Sequence, residues 1–355
     1  MATALRLARR GLFTTDPNPR VGCVIAGSES VAGLGWHEMA GGPHAEIAAL
    51  REAGETARGK TAYVTLEPCS YDGRTPPCAD ALLKAGIKRV VVAAKDPNPQ
   101  VNGSGLQRLQ AAGVKVETGL MAAEAEALNA GFMMRMKTGR PWVRVKSAIS
   151  LDGRTALRNG DSKWISSEAS RLDVQRWRAR SSAILTGIGT VLADDPSMDA
   201  RVEMPVQQPL RVVADSSWRT PPGSRILAGP GTTLIAGDVS APIPGALERS
   251  EAQCLRLPAE GGVVDLMALM KALAEMEINE IQVEAGARLC GALIREQLVD
   301  ELLIYQAPLL LGNGGPGPFA FGPLESMTER THLELLETSL LGDDLRIRLK
   351  PKFRH

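Results

Sequence analysis

Pro43-His44-Ala45-Glu46, Glu67-Pro68-Cys69 and Pro77-Cys78 decide how this chain is read. One imidazole and two thiols can hold Zn²⁺ and leave its fourth position to water, whose pKa such a metal brings down to about 7. Glu46 lies two residues from His44, need not ligate, and can carry protons. Positions i and i+2 do not share a helix face, so His44 and Glu46 reach one metal-bound water only if the motif sits at a helix start. The surroundings agree. Gly41-Gly42-Pro43 suits a chain entering a helix, Ala45 to Ala53 favours helix, and Gly54 suits its end. Pro77 likewise puts Cys78 at the start of a helix through Ala79 to Ala85, closed by Gly86. A thiol there has a lowered pKa, which favours the metal-binding thiolate. The strand Thr61 to Leu66 delivers Glu67, Pro68 and Cys69 to the same edge.

The H-x-E…P-C…C order is that of zinc deaminases acting on nucleobase-type amidines. Their usual thiol spacing is C-x-x-C, whereas here Ser70 to Pro77 separate Cys69 from Cys78. A structural zinc is the competing reading. Such sites close all four positions with protein ligands, and His37 and Cys23 are the nearby candidates. A carboxylate beside the ligand histidine has no structural use, which favours catalysis.

The whole chain narrows the class. Its 355 residues suffice for two domains. Hydrophobic residues make up 44% and charged residues 23%, as in a globular protein. A net charge of +1 provides no field to recruit nucleic acid or membrane, and 4% aromatics argue against a platform for stacking bases. Five cysteines, with Cys23, Cys254 and Cys290 in apolar contexts, fit a reducing cytosol rather than a disulfide framework. No apolar run approaches the ~20 residues needed to cross a bilayer. The basic start, Met1 to Arg10, lacks the Ser-rich extension of a transit peptide and reads as the first helix of the fold.

Strand-like runs in the first half are Val21 to Ala26, Thr61 to Leu66, Arg89 to Ala94 and Val114 to Thr118, with helical stretches between them and a helix over Ala122 to Met136. This alternation is α/β. Lys137-Thr138-Gly139-Arg140-Pro141 is polar and ends in Gly-x-Pro, so the boundary is placed there, giving domains 1–139 and 140–355. The alternation then restarts. Strands are expected at Trp142 to Ile149, Ala183 to Thr186, Leu210 to Ala214, Thr232 to Ala236, Ile281 to Val283, Glu301 to Tyr305 and Leu345 to Leu349. Helices are expected at Ser167 to Arg180, Leu266 to Glu277 and Arg288 to Gln297. Val239 to Gly262, with scattered Pro and Gly, reads as a surface connection.

Several ordered blocks carry a resemblance along essentially the whole chain. They are Pro17-Asn18-Pro19, Tyr63-Val64-Thr65-Leu66-Glu67-Pro68-Cys69, Gly73-Arg74-Thr75-Pro76-Pro77-Cys78 and Lys95-Asp96-Pro97-Asn98-Pro99. In the second half they are Lys146-Ser147-Ala148-Ile149-Ser150-Leu151-Asp152-Gly153, Gly187-Ile188-Gly189-Thr190-Val191, Asp194-Asp195-Pro196 and Val283-Glu284-Ala285-Gly286. The chain resembles the bifunctional deaminase–reductases of riboflavin biosynthesis. The resemblance implies an N-terminal cytidine-deaminase-like three-layer domain followed by a dihydrofolate-reductase-like α/β domain. It implies zinc-dependent deamination of 2,5-diamino-6-(5-phosphoribosylamino)pyrimidin-4-one, then NADPH-dependent reduction of the ribosyl group to ribityl. The ligands would be His44, Cys69 and Cys78, with Glu46 moving protons and Asn18 touching the substrate. NADPH would meet Ala148, Trp164, Thr190, Asp194, Ser216 and the turn Gly286, Ala287, Arg288 and Leu289. Lys146, Ser162, Arg178, Met198, Arg201 and Glu284 would meet the substrate, with Arg178 and Arg201 clamping its phosphate. A cytoplasmic homo-oligomer with a small-molecule substrate, and no nucleic-acid or membrane partner, is expected. Two departures stand out: Tyr71-Asp72 where the family commonly has a His, and Ala285 where it often has a glycine.

Rival readings make different demands. A nucleic-acid deaminase calls for a basic, aromatic-rich surface. A Rossmann dehydrogenase would need glycine where Gly187-x-Gly189 is followed by Leu192. A zinc-binding scaffold has no use for Glu46.

Overall fold

The computed structural model describes residues 1–71 and 77–353. Asp72, Gly73, Arg74, Thr75 and Pro76, and with them the expectation attached to Asp72, lie outside the described residues, as do Arg354 and His355. The chain divides into two compact units, Met1–Arg140 and Pro141–His355.

The first unit runs α1 (Ala2–Ala8), β1 (Gly22–Ala26), β2 (Val31–Trp36), α2 (Ala45–Ala53), β3 (Thr61–Leu66), α3 (Cys78–Lys84), β4 (Arg89–Ala94), α4 (Ser104–Ala111), β5 (Lys115–Thr118), α5 (Ala122–Leu128) and α6 (Ala130–Thr138). Its sheet has the order β2-β1-β3-β4-β5, antiparallel on either side of β1 and parallel from β3 to β5. Ala49, Leu82 and Leu109 cover one face from α2, α3 and α4. Leu5, Ala125 and Phe132 cover the other from α1, α5 and α6. This is a three-layer α/β sandwich.

Small residues set how closely α2 approaches the sheet. A Cβ added at Gly35 of β2 would strike the backbone of Ala45 and Ala49. Two glycines in β2 also weaken its strand signal, which is why Val31–Trp36 escaped the sequence pattern. The single helix expected over Ala122 to Met136 is instead two helices, α5 and α6. Asn129 breaks it, leaving helical geometry at φ −114°. Its side chain accepts from the Arg20 N–H at 2.8 Å and donates to the Arg20 carbonyl at 3.0 Å, a distant partner that local propensity cannot register.

Glu67 ties the sheet to α4. Its buried carboxylate accepts backbone N–H bonds from Asp96 and Gly103 on Oε2 and from Gly105 and Leu106 on Oε1, at 3.0–3.4 Å. It therefore satisfies otherwise orphaned donors at the start of α4 and complements that helix's dipole. Gly105 leaves room for the Pro68 carbonyl, which a Cβ would strike.

The second unit runs β6 (Trp142–Ser150), α7 (Glu168–Arg180), β7 (Ala183–Gly187), α8 (Ile188–Asp194), β8 (Leu210–Ala214), α9 (Arg225–Ala228), β9 (Thr233–Asp238), α10 (Gly245–Glu248), β10 (Gln253–Leu257), the small pair β11 (Ala259–Glu260) and β12 (Val263–Val264), α11 (Leu266–Glu275), β13 (Glu280–Val283), α12 (Ala287–Arg295), β14 (Glu301–Ala307), β15 (His332–Leu341) and β16 (Asp344–Lys352). Nine strands form one sheet, β10-β9-β8-β7-β13-β6-β14-β16-β15. Strands β10 through β14 in that order are parallel, and the β16-β15 hairpin adds antiparallel to β14. The segment Val239 to Gly262 is not merely a connection: its Gln253–Leu257 stretch is β10, parallel to β9 with Cys254 opposite Ile235. The alternation there is too short to stand out among the prolines and glycines. At the amino ends of the central strands, buried Arg144 bridges Glu301 at 3.0 Å and Glu280 at 3.3 Å, with its guanidinium 4.4 Å from the Trp177 ring centroid.

Glu67→Ala leaves four N–H groups without their acceptor. It should cost about 2–3 kcal/mol in the unfolding of the first unit, since each orphaned buried donor is expensive. Glu67→Gln, which keeps one acceptor oxygen, should cost less. Denaturant titration of the purified variants measures this, and a loss below about 0.5 kcal/mol for the alanine would refute the anchoring role.

Candidate active sites

In the first unit the i, i+2 problem is solved by the helix boundary. His44 precedes α2 in extended conformation, φ −69° and ψ 159°, while Glu46 occupies the first turn. Cys78 opens α3 behind Pro77, and Cys69 follows β3. His44 Nδ1 lies 3.2 Å from Cys78 Sγ and 3.6 Å from Cys69 Sγ. The Cys78 N–H donates to Cys69 Sγ at 3.3 Å. The three donor atoms all lie within 4.8 Å of one another, and among the described residues no fourth His, Cys, Asp or Glu joins the group.

That donor set fits zinc. Its separations match the edges of a tetrahedron with Zn–S of about 2.3 Å and Zn–N of about 2.0 Å. Soft sulfur and imidazole suit this metal, and three protein ligands leave a position open. The hydrogen bond from Cys78 holds the Cys69 thiol down at about 4. That same bond, with burial, pushes Cys78 far up. The pair thus holds one shared proton that a divalent cation would displace. The bond to Cys69 raises the His44 pKa. Burial pushes the Glu46 carboxyl up to about 7 against the opposing pull of His44, so it can both accept and release a proton near neutrality.

Two neighbours extend the site. Buried His37 meets His44 edge-on at 5.6 Å. Its Nδ1 donates to the Pro43 carbonyl at 2.9 Å, and its Nε2 accepts from Asn18 Nδ2 at 3.0 Å. Burial lowers its pKa, keeping the ring neutral. By sequence His37 counts only as a spare metal donor, and its place after β2 is the one local signal of its role. Ser70 Oγ and Ser104 Oγ, 2.5 Å apart, join the Cys69 loop to α4, a contact no local pattern announces. Tyr71 is exposed.

In the second unit, candidate residues gather at the carboxyl ends of the parallel strands, beside the point where β13 enters between β7 and β6. Ligands of open α/β sheets bind at such positions. Arg178 of α7 is buried and makes a bidentate pair with Glu284, 2.7 Å from Nε to Oε1 and 2.9 Å from Nη2 to Oε2. Its Nη1 donates to the Asp199 carbonyl at 3.0 Å, and Met198 Sδ lies 3.8 Å from Nη2. Burial pushes Glu284 up, but Arg178 outweighs it and holds the carboxyl at about 2. Arg201, by contrast, is exposed and pairs with Asp199. Lys146 on β6 has its pKa lowered by burial, with Glu284 opposing and Arg178 reinforcing the shift.

Of the expected cofactor positions, the Gly286 to Leu289 turn follows Glu284 directly in the chain. Gly286 caps α12 without a side-chain bond, and a Cβ built there meets nothing within 4 Å. The amides at Ala287, Arg288 and Leu289 therefore form an open helix start suited to an anion. Ala285 is not among the residues with positive φ, so the departure from glycine brings no left-handed strain. Thr190 and Asp194 lie on α8 after β7, and Ala148 lies on β6 opposite Tyr305. Ser216 follows β8, and its Oγ accepts from the Val264 N–H at 3.0 Å. Ser162 is half-buried and Trp164 exposed, with the Arg171 guanidinium 4.6 Å from the Trp164 ring centroid. Among the described residues, no helix is long and apolar enough to cross a membrane.

Residues 1–94 match the family model described as the cytidine and deoxycytidylate deaminase zinc-binding region, and residues 141–347 match the RibD C-terminal domain. The chain is 48% identical to riboflavin biosynthesis protein RibD of Escherichia coli (strain K12), over 98% of each. A solved structure of Acinetobacter baumannii RibD, form 1, superposes with a TM-score of 0.93 at 45% identity, covering 99% of this chain and 98% of that one. The Thermotoga maritima diaminohydroxyphosphoribosylaminopyrimidine deaminase/5-amino-6-(5-phosphoribosylamino)uracil reductase gives 0.88 at 29% identity, covering 99% and 97%. With a family model matched over more than half its length and near-half identity from end to end, this chain belongs to the RibD family of riboflavin biosynthesis proteins.

Proposed function

We propose that the chain catalyses two successive steps of riboflavin biosynthesis: zinc-dependent hydrolytic deamination of 2,5-diamino-6-(5-phosphoribosylamino)pyrimidin-4-one, then NADPH-dependent reduction of the ribosyl group of the product to ribityl. The observation that carries the first step is the His44, Cys69 and Cys78 donor set with non-ligating Glu46 beside it. The extra length of the Cys69–Cys78 loop and the family of the second unit favour this substrate over a nucleic acid. Five free cysteines fit a reducing compartment, the cytosol.

His44, Cys69 and Cys78 would hold zinc, which when bound supplies the Lewis acidity that makes water nucleophilic near neutral pH. Glu46 takes a proton on its carboxylate and returns one to the departing amine, a cycle its pKa near 7 permits. Neutral His37 occupies the Asn18 amide N–H, which leaves Asn18 Oδ1 to accept from the pyrimidine.

In the second unit Ala148, Trp164, Thr190, Asp194, Ser216 and the Gly286 to Leu289 turn would hold NADPH, whose nicotinamide supplies a hydride. Reduction also takes up a proton, and Lys146 Nζ is the buried proton-bearing group beside Glu284. Ser162, Met198 and Glu284 would line the substrate side. The resemblance pairs Arg178 with Arg201 at the phosphate, but Arg178 is bidentate to Glu284. We therefore assign Arg178 to holding that carboxylate ionised and oriented, and Arg201 to the phosphate, which its exposed guanidinium would meet by exchanging its contacts with Asp199 and Ser197.

Glu46→Gln should keep zinc and lose deamination by roughly 10²–10⁴ or more; metal analysis together with ammonia release checks it, and near-normal turnover with zinc bound would remove Glu46 from the reaction. Cys69→Ser should lose zinc and deamination while NADPH oxidation with the deaminated intermediate persists. Loss of both activities in a folded variant would contradict independent sites.

Arg201→Ala should weaken binding of the phosphorylated intermediate about ten- to hundredfold, the loss of one charge-assisted contact, and leave the dephosphorylated compound unaffected. Equal defects with both compounds would place the anchor elsewhere.

A further inference from the structure

On β6, Lys146 and Ala148 are two residues apart and point to the same face of the sheet. Strand β14 runs parallel to β6, with Leu303 opposite Lys146 and Tyr305 opposite Ala148. On the other side of β14, Tyr305 stands opposite Arg346 of β16. Directly opposed residues share a face, so Tyr305 lies diagonally across from Lys146. Ala148 is too small to stand between them. Helix α7 closes this face with Val174 and Trp177, which pack with Leu303 and Tyr305.

Tyr305 is fully buried, and its hydroxyl is committed. It donates to Asp173 Oδ2 of α7 at 2.7 Å. Asp173 also accepts from Trp177 Nε1 at 3.1 Å and from Arg346 Nη1 at 3.0 Å. Burial and the Asp173 carboxylate push the phenol pKa far up, so the hydroxyl keeps its proton and does not serve as the acid. A phenol tied to a carboxylate that is itself held from two further sides has its ring angle fixed. The ring is what remains available, and Lys146 Nζ lies 5.8 Å from its centroid. That is within the about 6 Å over which a cation is drawn to an aromatic face.

The other influences on Lys146 oppose one another. Burial disfavours its ammonium, Glu284 supports it and Arg178 works against it. The Glu284 carboxylate already binds Arg178 through both oxygens and accepts from Gln282 Nε2 at 2.7 Å. Asp173 and Arg346, beyond the phenol, pair with each other. An aromatic face attracts the ammonium without bringing in a further charge that must itself be desolvated.

We propose that Tyr305 is a positioning residue for the reduction: its ring face, fixed by Asp173, seats the Lys146 ammonium beside Glu284 and favours the charged form. The role rests on Lys146 as the proton donor. A lysine hands over a proton only from its charged form, so whatever favours that form extends reduction to higher pH. Losing the aromatic face lowers the Lys146 pKa, and the alkaline limb of the pH profile moves down with it.

The test uses the full zinc-loaded chain labelled with ¹³C at lysine Cε. The Lys146 resonance is identified by its absence in Lys146→Arg, and its titration is followed in wild type, Tyr305→Phe and Tyr305→Leu. Tyr305→Leu should lower the Lys146 pKa by about 0.5–1 unit, the worth of a partly desolvated cation–π contact. Tyr305→Phe keeps the face and should retain most of the wild-type value. The alkaline limb of kcat for NADPH oxidation with the deaminated intermediate should follow the same order. Should Tyr305→Leu unfold the second unit, replacing Tyr305 by trifluorophenylalanine withdraws ring electrons at nearly constant size, and should lower the pKa relative to Tyr305→Phe. A Lys146 pKa that is the same in every variant, while Lys146→Met abolishes reduction, would overturn the role of Tyr305 alone. Reduction that persists in Lys146→Met, or a limb that does not follow the Lys146 pKa, would remove Lys146 as donor and the role of Tyr305 with it.

Discussion

The zinc donors of the first unit and the candidate residues Glu284 and Gly286 of the second stand where a strand's carboxyl end gives way to a helix start. Strand ends in a sheet are held by ladder hydrogen bonds, so a residue just beyond them is fixed without being paired. Helix starts add unsatisfied N–H groups and a positive dipole end. Cys69 comes from the first kind of position, His44 and Cys78 from the second. Glu284 and Gly286 combine both within three residues of chain. Thiolates, carboxylates and phosphates all gain from such surroundings.

This arrangement needs close approach between helix and sheet. Gly35 lets α2 sit against β2, and Gly105 lets α4 start against the Pro68 carbonyl. Glu67 then closes the construction by taking four N–H groups onto one carboxylate. The ligand Cys69, two residues on, is thereby held between a strand end and a capped helix. A ligand so held loses little freedom when metal binds, which is the physical content of preorganisation.

The second unit separates stability from chemistry along its strands. Arg144, Glu280, Glu301 and the Trp177 ring lie toward the amino ends of β6, β13 and β14, fully buried and mutually paired. Lys146 and Glu284 lie toward the carboxyl ends, where Arg178 and partial burial set their charges. Buried ion pairs contribute little net stability against apolar replacements, but breaking one is costly. The lower cluster therefore makes strand register unforgiving, which in turn keeps the upper groups aligned.

The sequence by itself determined the donor set, the helix starts around it, the alternation of both halves and the family. These depend on residue type and spacing over a few positions, where caps, periodicity and metal-ligand chemistry act. Only the tertiary structure decided which partner each polar group takes. Arg178 and Glu284 are 106 residues apart, and nothing near either announces their bidentate pairing. Asn129 breaks a helix to serve Arg20, 109 residues away. Strand β10 forms because β9 offers it an edge. Such choices follow from closure of the chain in space, where a hydrogen bond or a buried face is satisfied by whatever long-range neighbour the fold delivers.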